Sequence, residues 1–351
     1  MSIALCMIVK NEEKILPKAI ESVRLIIDEM VIVDTGSTDK TMDTAKSYGA
    51  KVKSIEWNDN FAEARNVSIR NAKSDWILVL DADETIAKRD LDYVKELTYN
   101  DEYLGYVFTQ RSYSNIKNVV GLQHSEGDGY GESKDYIGWT ASQVTRLFRN
   151  VPEIHYDDSD YVHEDVGESI IRIGEDKIAH VDVPIHHFGR VIRSYEERLK
   201  WSGMYIRIGL KKLKDKIKAN APRRDLAIAC HEIGNSYGFK GDMDKAIEYF
   251  KRSVDYDNKF RPSLSNLGKA YASKGNLDPG ARYLQKALGI RDDDEVMADD
   301  YLVLAKIYFE KKEIMDKSVP ALMRCLEFQP DNVEAKKILG VIEDTLMDIL
   351  K

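Results

Sequence analysis

Two carboxylates one residue apart, Asp81 and Asp83, follow the apolar run Trp76-Ile77-Leu78-Val79-Leu80, where a buried strand should meet solvent. Acids this close repel each other, and a hard divalent cation shared with substrate phosphates is one arrangement that offsets the repulsion. A turn or capping role is the plain alternative, because acids are common after strands, so the pair alone does not decide. Two more strand-like runs end the same way. Ile3–Val9 leads into Lys10-Asn11-Glu12-Glu13, and Met30–Val33 into Asp34-Thr35-Gly36-Ser37. Carboxylates at a strand edge accept hydrogen bonds from ribose hydroxyls and base N–H groups, a use for Glu12 and Asp34 that needs no metal. Arg65, in Asn58-Asp59-Asn60-Phe61-Ala62-Glu63-Ala64-Arg65-Asn66, offers a guanidinium suited to phosphate or to stacking on a base; the other reading is an ion pair with Glu63 or Asp59 on a solvated helix face.

The elements that would hold these residues alternate. Ile15 to Ile27 has helical apolar spacing, Ser37 or Thr38 can cap a helix beginning near Asp39, Val52 to Ile55 is a third strand, and Phe61 to Asn71 a third helix before Trp76–Leu80. Strand, polar turn and helix in repetition mark a parallel sheet covered on both faces, whose strands place ligands at their carboxyl ends. Asn11-Glu12, Asp34 and Asp81/Asp83 are therefore expected on one edge.

In order and spacing, Ile8-Val9-Lys10-Asn11-Glu12, Val33-Asp34-Thr35-Gly36-Ser37-Thr38-Asp39-Lys40-Thr41, Phe61-Ala62-Glu63-Ala64-Arg65-Asn66 and Leu80-Asp81-Ala82-Asp83-Glu84 resemble the family 2 glycosyltransferases of the GT-A fold. The branch most like it includes lipopolysaccharide-core glycosyltransferases and the peptide S-glycosyltransferases of bacteriocin biosynthesis. Thr35 departs from the pattern, standing where many members carry a second acid. The resemblance implies a hexosyltransferase using a nucleotide-sugar donor, commonly a UDP-sugar. It assigns Asn11, Glu12, Asp34, Arg65, Asp81 and Arg146 to the donor, and Asp83, with Asp81, to Mn2+ or Mg2+ bridging the diphosphate. A cation there would stabilise charge that grows as the nucleoside diphosphate departs.

Further along, Tyr106–Thr109 reads as a strand, and the polar stretch from Gly121 to Gly138 as either a lid or a surface insertion. Arg146 lies in Gln143-Val144-Thr145-Arg146-Leu147, similar to a Gln-x-x-Arg-Trp element of processive synthases, with Leu147 in place of Trp. Val162-His163-Glu164-Asp165 matches a His-Glu element of the family. That implies Glu164 as the general base of an inverting transfer, with Asp165 the competing carboxylate. In Ile185-His186-His187-Phe188-Gly189, His187 stands where the branch has His-x-Gly and would complete the metal site, with His186 as the alternative.

From Arg190 to Arg224 there are twelve Lys or Arg against three acids, with Trp201, Met204, Tyr205 and Ile208 at helical spacing. This basic amphipathic linker could pack against the protein or rest peripherally on an anionic membrane. Beyond it, Ile233-Gly234, Tyr237, Gly241, Phe250 and Ser253 recur at an interval of 34 as Leu267-Gly268, Tyr271, Gly275, Leu284 and Ala287. Ala305, Tyr308, Leu322 and Cys325 keep the phase, Pro330-Asp331 fits an inter-repeat turn, and Leu339-Gly340 is expected to open a closing helix. The interval resembles tetratricopeptide repeats, whose arrays form concave binding surfaces.

The expected organisation is an α/β GT-A domain over 1–190, a linker helix over 191–222 and helical repeats over 223–351. The repeats would capture an acceptor peptide, protein or glycan, or pair two chains into a homodimer. The alternative function is a repeat scaffold carrying an inactive transferase domain, which should have lost Asp83 or Glu164; both are present. A sugar-nucleotide pyrophosphorylase would begin with a Gly-rich phosphate loop, which Lys10-Asn11-Glu12 is not. The net charge of −8 over 351 residues speaks against general nucleic-acid binding. Cys6, Cys230 and Cys325, odd in number and far apart, read as core thiols. With no apolar run near the ~20 residues that span a bilayer and no secretory leader, a cytoplasmic location is expected.

Overall fold

The computed structural model describes residues 1–116, 119, 121–157 and 164–349, and the chain divides into two compact units, Met1–Tyr195 and Glu196–Lys351. The first unit begins with three strand-helix repeats: β1 (Ile3–Val9), α1 (Leu16–Val23), β2 (Glu29–Asp34), α2 (Thr41–Ser47), β3 (Lys51–Ser54), α3 (Phe61–Arg70), then β4 (Trp76–Val79). Strands β3, β2, β1 and β4 are parallel neighbours. Alternation along each strand divides its side chains between two cores. Leu5, Met7, Ile32 and Leu78 pack with Leu16, Ile20 and Val23 on one face, while Ala4, Cys6, Val31, Ile77 and Val79 pack with Ala62 and Ile69 on the other. Both faces being covered is why these strands read as unbroken apolar runs.

The sheet continues through elements that come later in sequence. After β5 (Glu84–Ile86), α4 (Leu91–Leu97), β6 (Gly105–Ser114), β7 (Gln123–His124), β8 (Gly138–Arg149), α5 (Gly167–Ile173), β9 (Ile178–His187) and α6 (Gly189–Ile192), the strand order is β3-β2-β1-β4-β8-β6-β9-β5, with β7 on β8. Strand β8 runs antiparallel to β4, and β9 antiparallel to β5. The sheet is therefore mixed rather than parallel throughout, and Tyr106–Thr109 is the start of a ten-residue strand. In the Gly121–Gly138 stretch the described residues are anchored on Asp128. Its Oδ1 accepts from Tyr130 N (2.9 Å) and Ser133 Oγ (2.7 Å), and its other oxygen pairs with Arg111 (3.1 Å).

The second unit is all helix: α7 (Tyr195–Lys218), α8 (Arg223–Phe239), α9 (Met243–Tyr256), α10 (Arg261–Ser273), α11 (Leu277–Leu288), α12 (Asp294–Glu310), α13 (Val319–Phe328) and α14 (Val333–Ile349). The recurring residues are contact points. A Cβ at Gly234 would lie 2.6 Å from the Phe250 ring, and one at Gly268 would lie 2.7 Å from Leu284 Cγ and 2.9 Å from its backbone N, so glycine lets each helix pair close. The stacked pairs Tyr237–Tyr249 and Tyr271–Tyr283 repeat at the same interval. In the linker helix α7, Gly209 gives close approach to Ile233, and Leu213 joins Leu226, Ala229 and Cys230, making α7 the first layer of this unit. The closing helix opens at Val333 rather than Leu339, because Asn332 Oδ1 accepts from Ala335 N (2.9 Å) and caps it. All three cysteines are buried free thiols. Among the described residues no helix is long and apolar enough to cross a membrane.

Two predictions concern this unit. Asp300 is fully buried between Arg261 (2.8 Å), Ser265 (2.6 Å) and Lys269 (2.8 Å). Asp300→Ala leaves Arg261 only its ion pair with the partly exposed Asp292 (3.1 Å) and is expected to cost about 3 kcal/mol in chemical unfolding, the low end for breaking a buried pair; a loss below ~1 kcal/mol would show that water reaches the site. Burial lowers the His231 imidazole from 6.5 to about 4. The unfolded chain therefore takes up this proton before the folded chain does, and stability falls as pH drops from about 6.5 toward 4. His231→Gln is expected to remove that part of the acid slope in thermal unfolding of the whole chain, and an unchanged slope would refute the assignment.

Candidate active site

The carboxyl ends of β1, β2 and β4 lie on one edge, and each loop there is built by its own polar residues. Asn11 adopts a left-handed φ of 57°, which Asn tolerates better than most residues. Its N donates to Ser37 Oγ (2.9 Å) and its Oδ1 accepts from Thr38 N (2.7 Å), tying the first loop to the second. Ser37 and Thr38 are thereby committed and do not cap the next helix, which opens at Thr41 with Lys40 at its N-cap and no side-chain cap; Asp39 Oδ1 accepts from Thr41 N (3.0 Å) just ahead of it. The buried Asp34 accepts from Gly36 N (3.1 Å) and Ser37 N (3.1 Å), and Gly36 has a φ of 102° that suits glycine. Glu12 is held from behind, its N donating to Thr41 Oγ1 (2.7 Å), and burial pushes its carboxyl up to about 6 against the pull of Arg193.

A second cluster surrounds Asp81. Arg65 is buried rather than on a solvated face: its Nη2 meets Asp81 Oδ1 (2.8 Å) and its Nε meets Glu164 Oε1 (2.5 Å). Arg146, delivered by β8, meets Asp81 Oδ2 (3.2 Å) and Glu84 Oε1 (2.6 Å). Burial would raise the Asp81 carboxyl, but Arg65 and Arg146 outweigh it and hold it well below the usual carboxylate range. Arg65 lies over the Tyr156 ring, and Arg65 Nη1 and the Tyr156 hydroxyl are buried without a hydrogen-bond partner among the described residues. Asp165 differs from its neighbour Glu164: its two oxygens accept from Thr145 N (2.9 Å) and Gly167 N (2.5 Å), tying β8 to the start of α5. Val162 and His163, the first half of the His-Glu element, lie outside the described residues.

Strand pairing brings in His187. The β5–β9 register sets Glu84 opposite His187, and Phe188 N donates to Asp83 O (2.9 Å). His187 Nε2 then lies 3.7 Å from Asp83 Oδ1, while its Nδ1 shares a hydrogen bond with Ser112 Oγ (2.9 Å) that sets the ring's orientation. His186, one residue earlier, faces the other way: it is fully buried, bonds Tyr113 OH (2.6 Å), and burial holds its imidazole down at about 3.

The expected cation can be set against this geometry. Asp81, expected beside Asp83 as a ligand, has both oxygens on arginines, and among the described residues no three His, Cys, Asp or Glu side chains gather as a metal cluster. Asp83 and His187 remain. Two ligands at about 2.1 Å from one ion lie at most about 4.2 Å apart, so their 3.7 Å separation fits a shared ion. A Cβ on Gly189 would lie 2.6 Å from Asp83 Oδ2 and 2.8 Å from His187 Nε2, so glycine keeps the space before both atoms clear. Two clusters of ion pairs result: Glu12 and Asp83 against Arg193, and Asp81, Glu84 and Glu164 against Arg65 and Arg146, each with an excess of one negative charge. A divalent cation held by two protein ligands and completed by substrate phosphates suits that donor set.

Besides Tyr156, two participants were not singled out from sequence. Glu84 is fully buried and accepts from Asp81 N (2.8 Å), bracing the turn between the two aspartates while it holds Arg146. Its only sequence signal is its place directly after that turn. Arg193, hidden among the basic residues of the linker, bridges Glu12 (2.7 Å) and Asp83 (3.1 Å).

Residues 4–156 match the Glycosyl transferase family 2 model, and residues 227–260 and 262–294 match the Tetratricopeptide repeat model. The chain is similar to a TPR repeat-containing protein of Synechococcus elongatus, 29% identical over 257 residues that cover 72% of this chain and 56% of that protein. An uncharacterized glycosyltransferase of Rickettsia bellii is 39% identical over 102 residues, covering 28% of this chain and 34% of the relative. The SPbeta prophage-derived glycosyltransferase SunS of Bacillus subtilis is 30% identical over 118 residues, covering 29% and 28%. The chain thus spans about half the length of the first relative and about a third of the other two. The chain thus carries a domain that matches the family 2 glycosyltransferases over residues 4–156, followed by tetratricopeptide repeats over residues 227–260 and 262–294.

Proposed function

We propose that this protein transfers a sugar from a nucleotide-sugar, a UDP-sugar by family resemblance, to a peptide, protein or glycan acceptor, with inversion and with the help of Mn2+ or Mg2+. The observation that carries this reading is the convergence of Glu12, Asp34, Arg65, Asp83, Glu164 and His187 on one sheet edge from six separate chain segments. Asn11, Glu12 and Asp34 border the nucleoside, with Arg65 Nη1 and the Tyr156 hydroxyl as unspent donors for the base or ribose. Asp83 and His187 would hold the cation, which would supply charge stabilisation at the departing diphosphate. Arg65 and Arg146 keep Asp81 ionised and in place, and so keep the turn that presents Asp83.

Glu164 takes the acceptor's proton. Arg65 fixes one of its oxygens, leaving the other for the acceptor, whereas Asp165 spends both on backbone N–H groups. The repeats present the acceptor or pair two chains. The test is a panel of UDP- and GDP-sugars monitored for nucleotide release with and without Mn2+. Release from one UDP-sugar, raised by Mn2+, is expected; a chain that binds and releases none of them has another function.

A further inference from the structure

Arg193 lies between the end of α6 at Ile192 and the start of α7 at Tyr195, where a side chain can turn without breaking a strand ladder or a helix. Its Nη2 meets one oxygen of Glu12, on the nucleoside side, and one of Asp83, on the cation side, at 2.7 and 3.1 Å. The other Asp83 oxygen faces His187. A guanidinium and a divalent ion on the two oxygens of one carboxylate repel each other, so each weakens the other's hold on Asp83. A sugar diphosphate arrives with two negative charges. With Asp83 that makes three, and a divalent ion alone leaves one of them uncompensated.

Building on the proposed transfer function, we propose that Arg193 stands in for the cation in the donor-free chain and is displaced from Asp83 when the ion binds, moving onto the incoming diphosphate. The ion and the guanidinium together then balance Asp83 and the diphosphate. In the resting chain the same contact keeps Glu12 and Asp83 from repelling each other. Arg193 is thus a donor-binding residue supplied from the connection to the repeat unit.

The test uses the full chain and two probes. Mn2+ alone is titrated by the loss of the free-ion paramagnetic resonance signal, and UDP is then titrated at saturating Mn2+. Arg193→Gln is expected to bind Mn2+ about tenfold more tightly without nucleotide and UDP about tenfold more weakly with Mn2+. Arg193→Lys, which keeps the charge but not the reach, should fall between, and it serves as the comparison if the glutamine variant melts early. Mn2+ affinity in both variants no tighter than in the parent chain, while Asp83→Asn loses the ion, overturns the role of Arg193 and leaves the transfer reading standing. Mn2+ binding that is absent, or indifferent to Asp83→Asn, overturns the cation site and the role of Arg193 with it.

Discussion

Replacing Asp83 by alanine is expected to cut nucleotide release from the donor by about a hundred- to a thousandfold, the scale lost when a preorganised charge at the leaving group is removed. The fold should survive. Asp83 is at the end of a turn that Glu84 braces through Asp81 N, and with Asp83 gone Arg193 still has Glu12. Thermal unfolding should therefore shift little while Mn2+ no longer raises turnover. The measurement is the nucleotide-release assay on parent and variant, with and without Mn2+. Equal turnover in the two would remove Asp83 from the chemistry.

Glu164→Gln should separate binding from transfer. A positioned general base typically contributes about 10²–10⁴-fold, so transfer to an acceptor should fall by that order while donor affinity stays within about threefold. The amide oxygen can still accept from Arg65 Nε, so the 2.5 Å contact that orients this side chain survives without its basicity. Donor affinity is read by equilibrium binding and transfer by product formation. If both fall together, Glu164 serves to hold Arg65 rather than to take a proton. Asp165→Asn should act differently: weakening the tie between Thr145 and Gly167 loosens β8 and α5 and shows first as lower thermal stability.

Local features of the fold were readable in the chain. Ile3–Val9 is a strand over the residues expected, and β2, β3, α3 and β4 lie within a residue or two of their expected positions. Apolar runs bounded by polar turns carry that information locally. So does the spacing of 34 in the repeats, where Gly234 meets Phe250 and Gly268 meets Leu284. The antiparallel half of the sheet was much less legible, because β5, β7 and β9 are short or mixed in polarity and owe their pairing to partners far along the chain.

The sequence by itself determined which residues end the parallel strands, hence that Asn11, Glu12, Asp34, Asp81 and Asp83 share an edge, and that a helical array follows. Tertiary structure decided what those residues touch. Arg65 is 99 positions from Glu164, Arg193 is 110 from Asp83, and His187 rather than His186 faces the acids only because β9 pairs with β5 in one register. Periodicity reports which face of an element is buried, since burial acts on each residue where it stands. Ion-pair partners are chosen by the distance between folded segments, and only closing the sheet sets that distance.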